Sequence, residues 1–242
     1  MEKVLVYLEE KRKEYIQHPI FTYLYDEKVD PLEKLTKLSQ FLVYFVMAFG
    51  DLNCMVLRYT PEELEKSTIL ERQMKELINK HTEEDAEHWK LFIEDLNTLR
   101  IENIKTFGAC LEMLWSEEMQ ASRKLATQLI QYATIHASPI IRYVFIETIE
   151  ATGNAFFSVS HKVASTAEEK YYLPELRYFG KYHLNLETGH LMTCGCSHDS
   201  EEIFTKYLLD TEQSLEAKNV IDKVFKAFSE WNSAMYTFVT NS

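Results

Sequence analysis

Apolar residues recur at intervals of three and four along nearly the whole chain, the spacing that lines one face of an α-helix. Little interrupts that pattern. Glycine and proline number only 6 and 5 in 242 residues, too few for the turns of an all-β or loop-rich chain. Where proline occurs, it often marks a helix start. Asp30-Pro31, Thr60-Pro61-Glu62-Glu63 and Ser138-Pro139 each place a capping side chain before a proline at the first helical position. The expected helices run from Glu2 to Gln17, from Asp30-Pro31 to Arg58, and from Thr60 to Leu99 with a break near Ile78 to Thr82. Others run from Ala109 to Thr134, from Ser138-Pro139 to Ser165, from Tyr171 to Met192, and from Asp199 almost to the end. About seven helices on short connections predict an all-α, compact helical bundle, with residues 1–242 forming one domain.

Charge narrows the partners. The formal net charge of −12 repels phosphate backbones, so no nucleic-acid partner is expected. No basic stripe suggests a membrane surface, and Met1 to Lys13 has no apolar core of the secretory type. The longest apolar run, Phe41 to Phe49, is too short to span a bilayer and reads as buried helix. Cys54, Cys110, Cys194 and Cys196 are unevenly spaced and do not suggest a disulfide framework. The chain reads as soluble and cytoplasmic, with reduced thiols. Cys54 and Cys110 lie in apolar helical stretches as small buried hydrophobes, and Cys194-Gly-Cys196-Ser-His198 reads as a loop. A homodimer is compatible with an apolar bundle of this size.

Four of the eight histidines fall in two short clusters, His81-Thr-Glu-Glu84-Asp85-Ala-Glu-His88 and His183-Leu-Asn-Leu-Glu187-Thr-Gly-His190. Seven residues is nearly two helical turns, so the paired imidazoles point the same way to within about 20°. Glu84 lies one turn before His88; Glu187 lies one turn after His183 and one before His190. Each cluster therefore offers imidazole, carboxylate and imidazole along one stripe, a donor set suited to iron, manganese or zinc. Glu187-Thr-Gly-His190 has the Glu-x-x-His spacing of di-iron carboxylate bundles, and Asp85-Ala-Glu-His88 is its aspartate version. A solvated His/Glu face is the bland alternative. Two like clusters, followed by Trp89, Leu91 and Phe92 and by Leu191 and Met192, favour ligands turned toward the core. Glu147 and Glu150 sit in an otherwise apolar stretch, as a metal bridge or as partners of a buried Arg or Tyr. Small Ala151 and Gly153 beside Glu150 favour it as the bridge. His136 and His161 have no carboxylate at metal-site spacing and read as surface or helix-end residues.

These residues resemble the heme-oxygenase-like helical superfamily, and within it the non-heme di-iron oxidase and oxygenase branch of iron-containing redox enzymes. The resemblance runs in order along most of the chain. His18-Pro19 follows the first helix. His88-Trp-Lys-Leu-Phe92-Ile-Glu-Asp95-Leu96 is similar to the family's ligand histidine with its downstream aromatic and acidic positions. Glu147 or Glu150 falls at its central glutamate, and His183-x-x-x-Glu187-x-x-His190 is its most specific element. The resemblance implies a seven-helix bundle whose iron site, of up to two ions, reacts with O2. Thiaminase-like and pyrroloquinoline-quinone-synthase-like proteins are relatives without this metal set. The chain departs from the pattern where the family places a glutamate two turns before His88; His81 stands there instead. No heme is expected, because Pro19 biases His18 away from helical geometry.

The leading expectation is therefore an oxidoreductase acting with O2 on a small-molecule substrate. His81, Glu84 and His88 would hold one metal and His183, Glu187 and His190 another, with Glu150 or Glu147 between them. Iron is the expected cofactor, with manganese and zinc as other candidates. The alternatives are a metal-free hydrolase or small-molecule-binding protein of the same fold, and a protein-interaction module.

Overall fold

The computed structural model describes residues 1–100, 106–136, 138–190 and 202–241, and of residues 187–190, 202 and 205 the backbone only. Every regular element among them is helical. The order is α1 (Glu2–Tyr15), α2 (Pro19–Tyr25), α3 (Pro31–Asp51) running on into a π-helical stretch (Leu52–Leu57), α4 (Pro61–Glu65), α5 (Ile69–Asp85) and α6 (His88–Leu99). Then follow α7 (Phe107–Trp115), α8 (Gln120–Ile135), α9 (Pro139–Tyr171), α10 (Lys181–His190), α11 (Glu202–Thr205) and α12 (Thr211–Asn241). Local chemistry explains the starts. Asp30 accepts from the amides of Leu32 and Glu33, and Thr60 and Thr68 form reciprocal capping boxes with Glu63 and Glu71. His18 caps α2 by accepting from the Ile20 amide, the helix-end role expected of it.

The long helix α9 is the axis of the bundle. Every residue from Ile140 to Thr152 is buried, which requires neighbours on all sides. Helices α1, α2, α3, α5, α10 and α12 supply them. Only Arg142, Glu147, Thr148, Glu150 and Thr152 break the apolar character of that stretch, so α9 carries two carboxylates into the core. Arg142 has a structural role: it donates to the carbonyls of Leu57 and Ala133 and lies over the Tyr59 ring. The α3 helix with its π-helical extension, Pro31–Leu57, has a mean hydropathy of 1.6 in its most apolar window and is long enough to cross a bilayer. The nine-residue run seen in the sequence is thus part of a longer apolar helix. In the fold it packs against α6, α8, α9 and α12.

Several boundaries differ from the sequence expectation. The last helix, expected unbroken from Asp199, is divided, with α11 ending at Thr205 and α12 beginning at Thr211, and the third is interrupted early, between Glu65 and Ile69. The helix expected from Ala109 to Thr134 is divided, with α7 ending at Trp115 and α8 beginning at Gln120. The break in the third helix falls at Ala86–Glu87, not near Ile78 to Thr82, so His88 opens a new helix. The sixth expected helix starts ten residues late, at Lys181, because α9 runs on to Tyr171 and the chain then turns. Tyr172 closes α9 in the left-handed conformation, with φ 53°, and Pro174 cannot extend a helix. Cys54 is exposed and Cys110 half-buried, not the buried pair expected.

That turn is clamped from α6. The Asp95 carboxylate accepts from the backbone amides of Arg177, Tyr178 and Phe179 at 2.7, 3.0 and 2.9 Å. Burial pushes its carboxyl up to about 6 against the lowering effect of these amides, so at neutral pH it accepts as an anion. Glu168 of α9 accepts from the Leu176 amide. At Gly180 a side chain would collide with the Leu176 carbonyl, which reserves that position for glycine. The result is a rigid approach to α10, three residues before His183. Replacing Asp95 with Ala leaves three amides without their acceptor and is expected to destabilise the protein by about 3 kcal/mol at pH 7. Urea unfolding measures this, and a loss below about 1 kcal/mol would show that Asp95 does not hold the turn.

Candidate metal centre beside an apolar cavity

The break at Ala86–Glu87 sets the geometry of the first histidine cluster. His81, in the last turns of α5, and His88, the first residue of α6, are both buried. Asp85, the last residue of α5, is buried between them. Its Oδ2 lies 3.1 Å from His81 Nε2, and its Oδ1 lies 4.0 Å from His88 Nδ1. Glu84 is exposed, so the carboxylate on the inward face is Asp85. From the central helix, Glu150 brings Oε1 to 3.5 Å from His81 Nε2. One donor atom from each of His81, Asp85 and Glu150 falls within 4.8 Å of the others, and all three residues are buried. Glu147, one turn earlier on α9, is buried as well.

His88 turns toward the second cluster. Its Nδ1 lies 3.1 Å from His183 Nε2. His183 Nδ1 donates to the Tyr178 carbonyl at 3.0 Å, so the neutral ring presents the lone pair of Nε2 to His88. A carbonyl behind the distal nitrogen is the usual device for orienting a ligating histidine. The rings of Phe157 and Tyr178 hold the imidazole at centroid distances of 4.0 and 4.8 Å. Helix α10 runs through Glu187 and His190, whose side chains lie outside the described residues, as do Cys194, Cys196 and His198.

The residues present fit a metal ion on two counts. His81, Asp85 and Glu150 converge with the imidazole-plus-carboxylate chemistry that borderline divalent ions take. Two nitrogens bound to one ion at about 2.0–2.1 Å stand roughly 3.0–3.4 Å apart when they are adjacent in its coordination shell. The 3.1 Å between His88 and His183 matches that spacing.

Sequence reasoning named His81, His88, Glu147, Glu150 and His183 but placed Glu84 where Asp85 stands. A signal was present. His81-x-x-x-Asp85-x-x-His88 repeats the spacing of His183-x-x-x-Glu187-x-x-His190, and Glu84 does not. The remaining histidines have other partners. His136 closes α8, the helix-end place expected of it, but is buried there and pairs with Glu216 of α12 at 2.7 Å. His161 approaches the Phe157 carbonyl.

A narrow apolar cavity of about 70 Å³ adjoins the cluster, between α3, α9 and α12. Phe45, Phe49, Phe156, Phe228 and Trp231 wall it, and His88, Glu150 and His183 give it a polar side. Neither Cys54 nor Cys110 reaches it.

No protein-family model and no curated protein sequence matches the chain. Among solved structures, the crystal structure of a TenA homolog from Pseudomonas syringae pv. tomato superposes with a TM-score of 0.59. The two are 13% identical, and the match covers 98% of this chain and 92% of that one. At that identity the likeness shows the fold, an all-α bundle of the heme-oxygenase-like kind.

Burial alone would lower the pKa of His81, but the carboxylates of Asp85 and Glu150 outweigh it and hold the imidazole well above its ordinary value. In the metal-free protein the proton on His81 therefore stabilises the fold. That contribution is complete below about pH 6.5, the value in the unfolded chain, and is lost as pH rises through the higher folded value. The metal-free wild type is expected to lose stability from about pH 6.5 into the alkaline range, and His81→Leu to lose that slope. Thermal unfolding at several pH values tests this. The same slope in both proteins would exclude His81 as the group responsible.

Proposed function

We propose that this chain is a metal-dependent oxidoreductase that uses dioxygen on a small, largely apolar organic substrate. The observation that carries this reading is the position of Glu150. It belongs both to the convergent donor set with His81 and Asp85 and to the wall of the cavity, so an ion held there would face a bound substrate. The resemblance of the histidine clusters to the di-iron branch of the fold supports iron over manganese or zinc.

His81, Asp85 and Glu150 would hold one ion. His88 and His183, with Asp85 between the two groups, would supply further ligands, and Glu147, Glu187 and His190 complete the candidate set. Iron in such a site supplies the electrons that reduce O2, which these side chains cannot. The protein's part is to fix and to shield. The Tyr178 carbonyl keeps His183 in one tautomer, and the Asp95 clamp fixes the start of α10. Aromatic walls exclude bulk water, which strengthens electrostatic interactions inside and protects reactive species from side reactions. His81 gives up its proton when an ion binds, so affinity should already fall as pH drops through its raised folded value, above the ordinary imidazole value of about 6.5.

A second reading is a metal-free hydrolase or small-molecule-binding protein, supported by the fold shared with the TenA homolog. A cysteine nucleophile in that scheme would have to come from Cys194 or Cys196, since Cys54 and Cys110 are away from the cavity.

Loading the metal-free protein with ferrous iron under nitrogen separates the two. Wild type is expected to retain iron and to oxidise it when O2 is admitted. Asp85→Asn should weaken binding by at least the 10–100-fold that loss of an outer-shell partner costs, and Glu84→Gln should stay within about twofold of wild type. No specific iron in any of the three proteins would reject the oxidoreductase and leave the metal-free reading.

A further inference from the structure

The cavity has a second polar feature that the metal centre does not use. Asn232 of α12 walls it and is only 2% exposed. Its Nδ2 is buried and, among the described residues, makes no hydrogen bond of normal geometry. The Tyr15 ring, from the end of α1, walls the same space and is also buried. Its hydroxyl lies within reach of the Asn232 amide, and burial pushes the phenol pKa up, so it remains a neutral donor. The Tyr15 oxygen can accept from one of the two N–H groups of Asn232 at best; the other, buried without an acceptor, costs stability, commonly about 1–3 kcal/mol. An apolar side chain of the same size would fill the site without that cost. Retaining asparagine there makes sense when something else supplies the acceptor.

The charge around the cavity limits what that acceptor can be. Among the described residues no lysine or arginine lines it, and the ionisable groups on its walls are His88, Glu150, His183 and the two tyrosines, Tyr15 and Tyr178. A carboxylate or phosphate beside Asn232 would be buried without a fixed cation, which is costly. A neutral oxygen has no such penalty and can accept from both the amide and the phenol.

We infer that Asn232 and Tyr15 are specificity-determining residues that bind a neutral hydrogen-bond acceptor, such as an amide or ketone oxygen, on a substrate whose apolar body fills the aromatic cavity. This rests on the cavity being the substrate chamber, and it specifies the substrate class of the proposed oxidoreductase. It does not depend on which metal, if any, is bound.

The test uses the full-length metal-free protein and three neutral amides, acetamide, butyramide and benzamide, against acetate, butyrate and benzoate. Trp231 lies in the cavity wall, so its fluorescence and calorimetry both report occupancy. In wild type the best amide is expected to bind at least about tenfold tighter than its carboxylate. Asn232→Leu should weaken that amide about tenfold, and Tyr15→Phe should weaken it to a lesser degree. Asn232→Leu should also leave the ligand-free melting temperature unchanged or higher. An Asn232→Leu protein that melts well below wild type would mean that the amide holds the fold, and would overturn the inference. So would a carboxylate binding as tightly as its amide, or no amide binding at all. Ferrous iron binding is measured separately. Iron without amide selectivity defeats this inference alone, and amide selectivity without iron defeats only the oxidoreductase.

Discussion

Glu150 stands in the middle of a helix buried on every side, and a carboxylate there is tolerated only with a close partner. Leaving one such charge uncompensated costs several kcal/mol. Its partner His81 comes from the C-terminal part of α5, and His81 is in turn held by Asp85 one turn on. The contact between α5 and α9 is thus ionic at its centre and apolar around it. Much of the surrounding architecture keeps those groups together. Met74 and Ile78 bury the same face of α5, and the short turn at Ala86–Glu87 lets α6 leave in a new direction while His88 remains beside the cluster.

The same helix supplies the chamber. Past Glu150, α9 contributes Thr152, Gly153, Phe156 and Phe157 to the cavity, and Phe157 also packs on His183. The Glu150 carboxylate of the candidate metal centre and part of the cavity wall therefore belong to one helix, and a shift in α9 would move both. On the far side α12 contributes Phe228, Trp231 and Asn232. The Trp231 indole is fixed by donating to Ser122 Oγ, which itself donates to the Phe41 carbonyl. The polar groups in this interior anchor rings as well as offering chemistry.

The carboxylate of the first cluster shows how far the residue pattern can be read. On an ideal helix Glu84 and Asp85 lie about 50° to either side of the line through His81 and His88. A helical wheel therefore cannot choose between them. The helix stops immediately after Asp85, and the packing against α9 turns that residue inward and leaves Glu84 in solvent. The repeated spacing of the two clusters favours Asp85, but such a repeat becomes decisive only once the two segments are known to meet. Similarly, a helix from Tyr171 through Met192 is a fair reading of local propensity. What replaces its first half is a set of hydrogen bonds donated by backbone amides to Asp95, some eighty residues earlier in the chain.

The all-helical class, most of the cap positions, and the inward placement of Glu147, Glu150, His81, His88 and His183 follow from local properties. Residue spacing, capping chemistry and the rarity of glycine and proline act over a few residues and leave their mark in the sequence. The pairing of His88 with His183, the choice of Asp85, and the meeting of Tyr15 with Asn232 at one cavity depend on how helices far apart in the chain cross. Those crossings are decided by the packing of the whole core, where many small contacts add up, and no single stretch of sequence carries that sum.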